Sequence, residues 1–214
     1  MGAKVLRWER RPEERPNELL EAALHIFAER GYANTRLEDV AASVGVTKGT
    51  IYHYFDTKEE LLLQAIEHNH DRAFQPLQQA LGESHGPASS RIRLFLRRAF
   101  GGLDQARLSV LRLLVQGVAR EVPAAYYRWL EMGPVKAWRI LTDLIEEGKA
   151  TGEFRRDVDS EVAARVTLSG LILQFTWQQG TESIANLAID PDRLIDSTAD
   201  LLLRSLEVRA APRP

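Results

Sequence analysis

The sequence predicts an all-α protein, in which a small amino-terminal domain of three helices precedes a larger helical bundle. Apolar residues recur at intervals of three and four along most of the 214-residue chain, which is the spacing of one helix face. Residues that cap helices stand before these stripes, and glycines stand after them. No stretch alternates between apolar and polar residues as a half-buried strand would.

Composition excludes several classes of protein. Hydrophobic residues make up 44% and charged residues 27% of the chain, which is typical of a folded soluble protein. The chain has no cysteine, so disulfide bonds and thiol catalysis are excluded. No apolar run is long enough to span a bilayer, and charges interrupt the start of the chain too often for a signal peptide. We therefore expect a cytoplasmic protein that does not enter a membrane.

The chain begins with an arginine-rich segment, followed by the first predicted helix. Residues 1–15 are expected to form a flexible basic arm. Pro16 and Asn17 mark the start of the helix, and Gly31 marks its end. The apolar stripe between them consists of Leu19, Ala23, Ile26 and Phe27.

Two short helices joined by a sharp turn are predicted next. Thr35 and Glu38 form a capping-box pattern at the start of the first one. Gly45 can take the left-handed conformation that ends this helix and redirects the chain. Thr47 is placed to cap the second helix. This pattern of closely spaced helix starts is typical of a helix-turn-helix.

The second of these short helices has an outer side of hydrogen-bond donors, acceptors and flat rings, whereas Ile51 and Phe55 should point inwards. The net charge of −2 argues against a bulk attraction to DNA, because phosphate contacts dominate DNA affinity. Lys48 and Lys58 nevertheless flank this helix. Any interaction with DNA is therefore expected to be local and to depend on geometry.

A longer helix should follow from the capping pair Thr57 and Glu60. Pro76 is expected to kink or end it, because proline cannot donate a helical hydrogen bond. Residues 82–90 are rich in glycine, proline and serine and indicate a loop. We therefore predict a first domain over residues 16–78 and a second over residues 79–214.

The second domain is predicted to contain five helices. A bend is expected in the third of them at Gly133 and Pro134, and its end at Gly148 and Gly152. The helices carry apolar stripes that begin near Ile92, Leu108, Pro123, Asp159 and Asp190.

The helix that starts at Asp159 is apolar on more than one side, so it needs two apolar neighbours. We predict that one side packs in its own bundle and that the other side joins the last helix in a symmetric four-helix contact between two copies of the chain. The candidate interface residues are Val166, Leu171, Leu173, Leu194 and Leu202.

The first quarter of the chain resembles the tetracycline-repressor (TetR) family of ligand-responsive bacterial regulators. The resemblance rests on Leu19, Ala22, Ala23, Phe27, Gly31, Tyr32, Thr35, Val40, Ala41, Gly45, Val46 and the run TKGTIYHYFDTKEEL from Thr47 to Leu61. The run GEF from Gly152 to Phe154 is a weaker match. Arg36 departs from the family pattern, in which a small hydroxyl residue is common at this position.

This resemblance implies a homodimeric repressor that binds double-stranded operator DNA until a small-molecule effector enters the helical domain. The residues that it assigns to DNA binding are Arg36, Thr47, Lys48, Gly49, Thr50, Tyr52, His53, Tyr54 and Lys58. Lys48, the Gly49 backbone and Lys58 would approach phosphates. The polar and aromatic side chains would contact the DNA backbone or the edges of bases.

An apolar or aromatic effector is expected, because the second domain is rich in large rings. The predicted lining of the effector pocket is Phe95, Tyr126, Tyr127, Leu130, Trp138, Gln174, Phe175 and Trp177. At helical spacing, rings of this kind more often belong to the core, since pocket walls and cores share composition.

Neither a metal, a cofactor nor an enzyme activity is expected. Glu67 and His70 have the spacing of a di-iron ligand pair, but the sequence lacks a second such pair. No nucleophile, base and orienting group converge, and no glycine-rich phosphate loop is present. The alternative is a helical small-molecule-binding protein or enzyme that retains a helix-turn-helix without binding DNA.

Overall fold

The computed structural model describes residues 15–101, 105–177 and 189–208, and these residues form an all-α fold, as predicted. They contain no strand, although Phe154 and Glu207 form an isolated antiparallel bridge. The helices are α1 (Arg15–Arg30), α2 (Leu37–Ser43), α3 (Lys48–Tyr54), α4 (Lys58–Glu83), α5 (Ala88–Phe100), α6 (Gln105–Arg112), α7 (Val118–Glu121), α8 (Pro123–Met132), α9 (Pro134–Thr151), α10 (Ser160–Trp177) and α11 (Pro191–Leu206). A π-helical turn, Leu113–Gly117, joins α6 to α7. The predicted arm lies outside the described residues, except for Arg15.

The amino-terminal helices pack around one apolar cluster. Phe27 of α1, Ile51 of α3 and Leu61 of α4 are fully buried in it, because each lies on the inner stripe of its helix. Gly31 ends α1 with a positive φ of 83°, as the sequence predicts. Residues of the π-helical turn, α7 and α8 complete the same cluster: Leu113, Leu114, Val118, Val122 and Ala125.

The cap of α2 differs from the prediction. Thr35 is buried, and its hydroxyl donates to the carbonyl of Gly31 over 2.9 Å, so it closes the end of α1 instead of opening α2. Arg36 occupies the cap position, and its backbone N–H donates to the Asp39 carboxylate over 2.8 Å. The predicted box of Thr35 with Glu38 is therefore wrong by one residue, and the Glu38 carboxylate has other contacts.

Pro76 does not end the fourth helix, because α4 continues to Glu83. A kink at Pro76 remains a prediction. Pro76 lies on the exposed side of α4, so water can solvate the carbonyl group that loses its helical partner. Leu77 and Leu81, on the opposite side, are buried and hold the last turns against the second core. The helix starts as predicted, since the Thr57 hydroxyl accepts from the Glu60 N–H over 3.0 Å.

The second apolar cluster is formed mainly by α5, α9, α10 and α11, with Leu77 and Leu81 of α4. The bend predicted at Gly133 and Pro134 is a break between two helices, because α8 ends at Met132 and α9 begins at Pro134. Caps at Asp159 and Asp190 are confirmed as well, with N–H to carboxylate distances of 3.0 and 2.8 Å. Leu61 of α4 lies in the first cluster and Leu77 of α4 lies in the second, so α4 runs from one core into the other. The domain boundary after residue 78 remains a prediction.

His70 lies on α4 between these two cores and is 8% exposed. Its ring stacks on Phe74 at a centroid distance of 4.3 Å, and its Nδ1 lies 3.3 Å from a carboxylate oxygen of Asp71. Its Nε2 is buried without a hydrogen-bond partner among the described residues. Burial lowers the pKa of His70, Lys136 lowers this pKa further, and Asp71 acts in the opposite direction.

Replacing His70 by phenylalanine should reduce the acid sensitivity of folding. The unfolded chain binds a proton at the ordinary histidine pKa of about 6.5, before the folded chain does, so the wild type should lose stability as the pH falls below that value. H70F keeps a ring beside Phe74 but cannot bind the proton. Urea unfolding at about pH 7.5 and about pH 5.5 measures the difference.

His25 provides the control, because its side chain is exposed on α1 and pairs with Glu29. A reduced acid sensitivity that appears in H70F and not in H25Q would assign the effect to the buried ring. Equal losses of stability in H70F and in the wild type on acidification would contradict the role of His70.

Candidate nucleic-acid interface

The helix α3 is fixed in place by a turn, a cap and two buried side chains. Gly45 has a positive φ of 68°, which turns the chain after α2. The Thr47 hydroxyl accepts from the Thr50 N–H over 3.3 Å, so the predicted cap is confirmed. Ile51 and Phe55 are buried, as predicted, at 0% and 1% exposure. The opposite side of α3 therefore faces outwards.

That outer side contains most of the predicted DNA-binding residues. The side chains of Lys48, Tyr52 and His53 are exposed, and Arg36 is exposed at the start of α2. Tyr54 is half-buried, because its ring packs beside the amino-terminal core and contacts the His53 ring edge-on at 5.1 Å. Thr47 and Gly49 are exposed and Thr50 is half-buried at the start of the helix. The structure thus places these residues on one surface, and their contacts with DNA remain a prediction.

A carboxylate that the sequence reasoning did not assign to this surface contacts two of its members. Glu38 of α2 accepts from the Lys48 ammonium over 2.7 Å and from the Tyr52 hydroxyl over 3.3 Å. The ammonium also lies 5.4 Å from the centre of the Tyr52 ring. The hydrogen bond from Lys48 lowers the pKa of Glu38, and Glu38 in turn raises the pKa of Lys48.

Lys58 has a structural environment that the sequence did not predict. Its ammonium donates to the carbonyls of Tyr32 over 2.8 Å and Thr35 over 3.0 Å, and it lies 4.2 Å from the centre of the Tyr32 ring. These carbonyls belong to the turn between α1 and α2, so Lys58 joins that turn to the start of α4. A phosphate would have to compete with these carbonyls for the ammonium.

The predicted effector residues are distributed over several environments. Phe95 and Phe175 are fully buried in the second core, and Trp138 packs partly buried against it. Tyr127 and Trp177 are 62% and 47% exposed. Tyr126, Leu130 and Gln174 are half-buried.

Two surface cavities stand out among the described residues. The larger, of about 620 Å³, is lined by Gly86, Pro87, Ala88, Ser89, Glu147, Thr151, Gly152 and Glu153. The smaller, of about 290 Å³, is lined by Ser89, Arg93, Glu153, Phe154, Leu203 and Glu207. Neither contains any residue of the predicted lining, so the location of an effector site remains a prediction.

The predicted dimer residues divide into two groups. Leu171 and Leu202 are 1% and 6% exposed, because they face the core of their own chain. Val166 and Leu173 are 68% and 42% exposed, and Leu194 is half-buried. Further large apolar side chains are exposed on the same two helices or just beyond α11: Val162, Trp177, Leu201 and Val208.

Two other classes of site are absent from the part of the chain that the structure describes. None of its helices is both long enough and apolar enough to cross a membrane. No group of three or more His, Asp or Glu side chains among these residues is arranged to bind a metal ion.

The fold and the outer side of α3 define a helix-turn-helix DNA-binding protein, and comparisons with known proteins agree. Residues 19–65 match the family described as bacterial regulatory proteins, tetR family. The chain is 30% identical over 180 residues to the transcriptional regulator AcuR of Cereibacter sphaeroides. This match covers 82% of this chain and 78% of AcuR. It is 28% identical over 167 residues to the transcriptional repressor KstR2 of Mycolicibacterium smegmatis, which covers 78% of each chain.

The chain belongs to the tetR family of bacterial regulatory proteins and is a DNA-binding transcriptional regulator. Its fold is similar to that of the regulator FadR from Bacillus subtilis in complex with stearoyl-CoA, with a TM-score of 0.73 and 23% identity over 89% of this chain and 99% of FadR. These relatives are regulators, a class of proteins distinct from enzymes, which favours DNA binding over the alternative of a helix-turn-helix without that function.

Proposed function

We propose that the chain is a homodimeric repressor, which binds operator DNA through α3 and is released by an apolar or aromatic effector. The observation that supports this most directly is the orientation of α3. Its inner side is anchored by Ile51 and Phe55, so its polar and aromatic side remains available to a partner. A short helix presented in this way is the element that enters the major groove in helix-turn-helix proteins.

The exposed groups suit the two kinds of contact that DNA binding needs. Lys48 is exposed at the start of α3, where its ammonium can reach a phosphate. Tyr52 and His53 lie one turn further along the exposed side and can reach base edges. Phosphate contacts would fix the position of α3, and contacts with the bases would select the sequence.

A dimer is supported by the apolar side of α10 that remains exposed. Val162, Val166, Leu173 and Trp177 recur at helical spacing along it, and Leu201 and Val208 extend the apolar surface at α11. Ser169 and Gly170 lie in the middle of the α10 stripe and leave room for another helix to approach. We call this the α10–α11 face and propose that two copies meet there. A dimer would place its two α3 helices in successive major grooves, about 34 Å apart.

The effector is proposed to bind within residues 79–214, the second predicted domain. Rings from α5, α9 and α10 pack in or against the second core. The fold is also similar to that of a FadR structure that holds stearoyl-CoA, whose acyl chain is a large apolar group. The effector must bind the form of the dimer that is free of DNA more tightly than the bound form, because only a difference in affinity can shift the equilibrium. The helix α4 connects the two cores and is the element through which such a shift would reach α3.

Replacing Lys48 by alanine tests the DNA contact. We expect operator affinity to fall about tenfold, and the dependence of affinity on salt to decrease by about 0.9 per protomer, because one phosphate contact is lost. The DNA would be a duplex selected from random sequence by repeated binding to the wild-type chain. Fluorescence anisotropy over a series of salt concentrations gives both quantities.

Lys136 is a matched control, because its side chain is exposed on α9, outside the α3 surface. K136A should bind the duplex as the wild type does. Y54F, which keeps the half-buried ring and removes only the hydroxyl, should weaken binding if that hydroxyl reaches DNA. Binding that is weak, independent of sequence and unchanged in both K48A and Y54F would refute the proposed interface.

A further inference from the structure

Glu38 places a negative charge on the surface that is proposed to meet DNA. Its carboxylate lies 2.7 Å from the Lys48 ammonium and 3.3 Å from the Tyr52 hydroxyl. The Lys48 hydrogen bond keeps the pKa of Glu38 below its ordinary value, so the carboxylate is ionised at neutral pH. In the free protein, the Lys48 charge is therefore balanced before any DNA arrives.

Glu38 is not needed for the start of α2, although acidic residues are favourable there. Asp39 caps that helix by accepting from the backbone N–H of Arg36 over 2.8 Å. Glu38 instead contacts two residues of α3, Lys48 and Tyr52, so its main contacts lie within the candidate DNA surface and not within its own helix. A role in folding alone does not explain this pair, since exposed ion pairs contribute little to stability.

The carboxylate affects two kinds of DNA binding differently. Binding to arbitrary sequences depends almost entirely on phosphate contacts. A phosphate that approaches Lys48 must displace Glu38 or share the ammonium with it, and in either case it meets a like charge. An operator offers base contacts in addition, and these contacts benefit from a Tyr52 ring that is already held in place by Glu38 and Lys48.

We propose that Glu38 is a specificity-determining residue, which suppresses binding to DNA of arbitrary sequence and holds Lys48 and Tyr52 in position for the operator. This inference rests on the proposed DNA surface of α3. It concerns the ratio of the affinities for operator and arbitrary DNA, and not the existence of DNA binding.

The variant E38Q tests the proposal, because glutamine keeps the size of the side chain and removes its charge. Two labelled duplexes are compared, namely the selected duplex and a scrambled duplex of the same length and composition. We expect the affinity of E38Q for the scrambled duplex to rise about two- to fivefold, which is the range of an exposed ion pair. Its salt dependence should become steeper by about 0.9 per protomer, as Lys48 gains a phosphate. Affinity for the selected duplex should rise less, so that specificity falls.

Glu147 is the matched control, because its exposed carboxylate also pairs with a basic side chain, that of Arg91, but lies on α9. E147Q changes the net charge equally and should leave both affinities as in the wild type. The double variant E38Q/K48A should show a smaller gain on the scrambled duplex than E38Q alone, because Glu38 acts through Lys48.

The measurements on K48A and E38Q distinguish a failure of the role proposed for Glu38 from a failure of the proposed DNA interface. If K48A weakens binding but E38Q leaves the scrambled-duplex affinity unchanged, Glu38 has no such role. An equal gain on both duplexes would show a simple charge effect and would also overturn the proposal. If K48A and E38Q both bind as the wild type does, the α3 surface itself is wrong. Unfolding of E38Q in urea should match the wild type, which excludes a loss of fold as the cause of any change.

Discussion

Replacing Val166 by glutamate should convert the proposed dimer into a monomer and lower operator affinity by at least 100-fold. Val166 is 68% exposed within the apolar stripe on α10. In a symmetric interface the new charge appears twice, and both copies would lose water without gaining a partner. A dimer binds two half-sites at once, and the linkage of its two DNA-binding domains raises the affinity about 10²- to 10⁴-fold. A monomer loses this gain. Sedimentation at micromolar concentration and anisotropy with the selected duplex measure the two effects.

Ala150 offers a matched control for this variant. It is exposed on α9, outside the α10–α11 face, so A150E adds the same charge without affecting the interface. A150E should remain dimeric and bind the duplex as the wild type does. If V166E remains dimeric at the same concentration, the α10–α11 face is not the interface. If it becomes monomeric but binds with full affinity, the dimer is not required for the operator.

Much of the helix-turn-helix could be predicted from sequence because its determinants are local. Gly45 and Thr47 act within a few residues of themselves, through a positive φ and a hydroxyl cap. The caps at Asp159 and Asp190 were predictable for the same reason. Thr35 was misassigned because its hydroxyl had two local options, and burial of the side chain favoured the carbonyl of the preceding helix.

The features of the DNA surface and of α10 that could not be predicted from sequence depend on contacts between parts of the chain that are distant in sequence. The carbonyls that bind the Lys58 ammonium are more than twenty residues away, and the Glu38–Lys48 pair forms only after the turn has set α2 against α3. Along α10, apolar residues occur on every side, so periodicity alone could not separate buried Leu171 from exposed Val166. Sequence alone could not separate the effector lining from the core for a related reason, since core and pocket residues have the same composition.

The substitution Gly148→Ala should destabilise the chain by about 1–3 kcal/mol, because it overpacks a closed contact. Gly148 is buried within α9, and a methyl group there would overlap the ring of Phe154. Phe154 is 4% exposed, and its N–H donates to the Gly148 carbonyl over 3.0 Å. The ring cannot retreat easily, since the following residue, Arg155, donates its backbone N–H to Leu206 of α11 over 2.9 Å.

The loss of stability should not be limited to the Phe154 ring, because the preceding residue, Glu153, caps α5. The Glu153 carboxylate accepts from the backbone N–H groups of Ala88 and Ser89, at 2.7 and 3.0 Å, and so caps α5 from a distant part of the chain. The run from Gly152 to Phe154 therefore joins the end of α9 to the start of α5 and the end of α11. Displacing Phe154 would strain all three connections, and urea unfolding of G148A would record the sum.

Gly82 separates this effect from the general preference of helices for alanine. It lies in the last turn of α4, and a methyl group there would meet nothing within 4 Å. G82A should therefore stabilise the chain by about 0.5–1 kcal/mol, since alanine loses less backbone entropy than glycine in a helix. Changes of opposite sign in the two variants would assign the Gly148 effect to its contact with Phe154. A stabilising G148A would instead show that the Phe154 ring can move aside at little cost, and that the three connections are less rigid than their hydrogen bonds indicate.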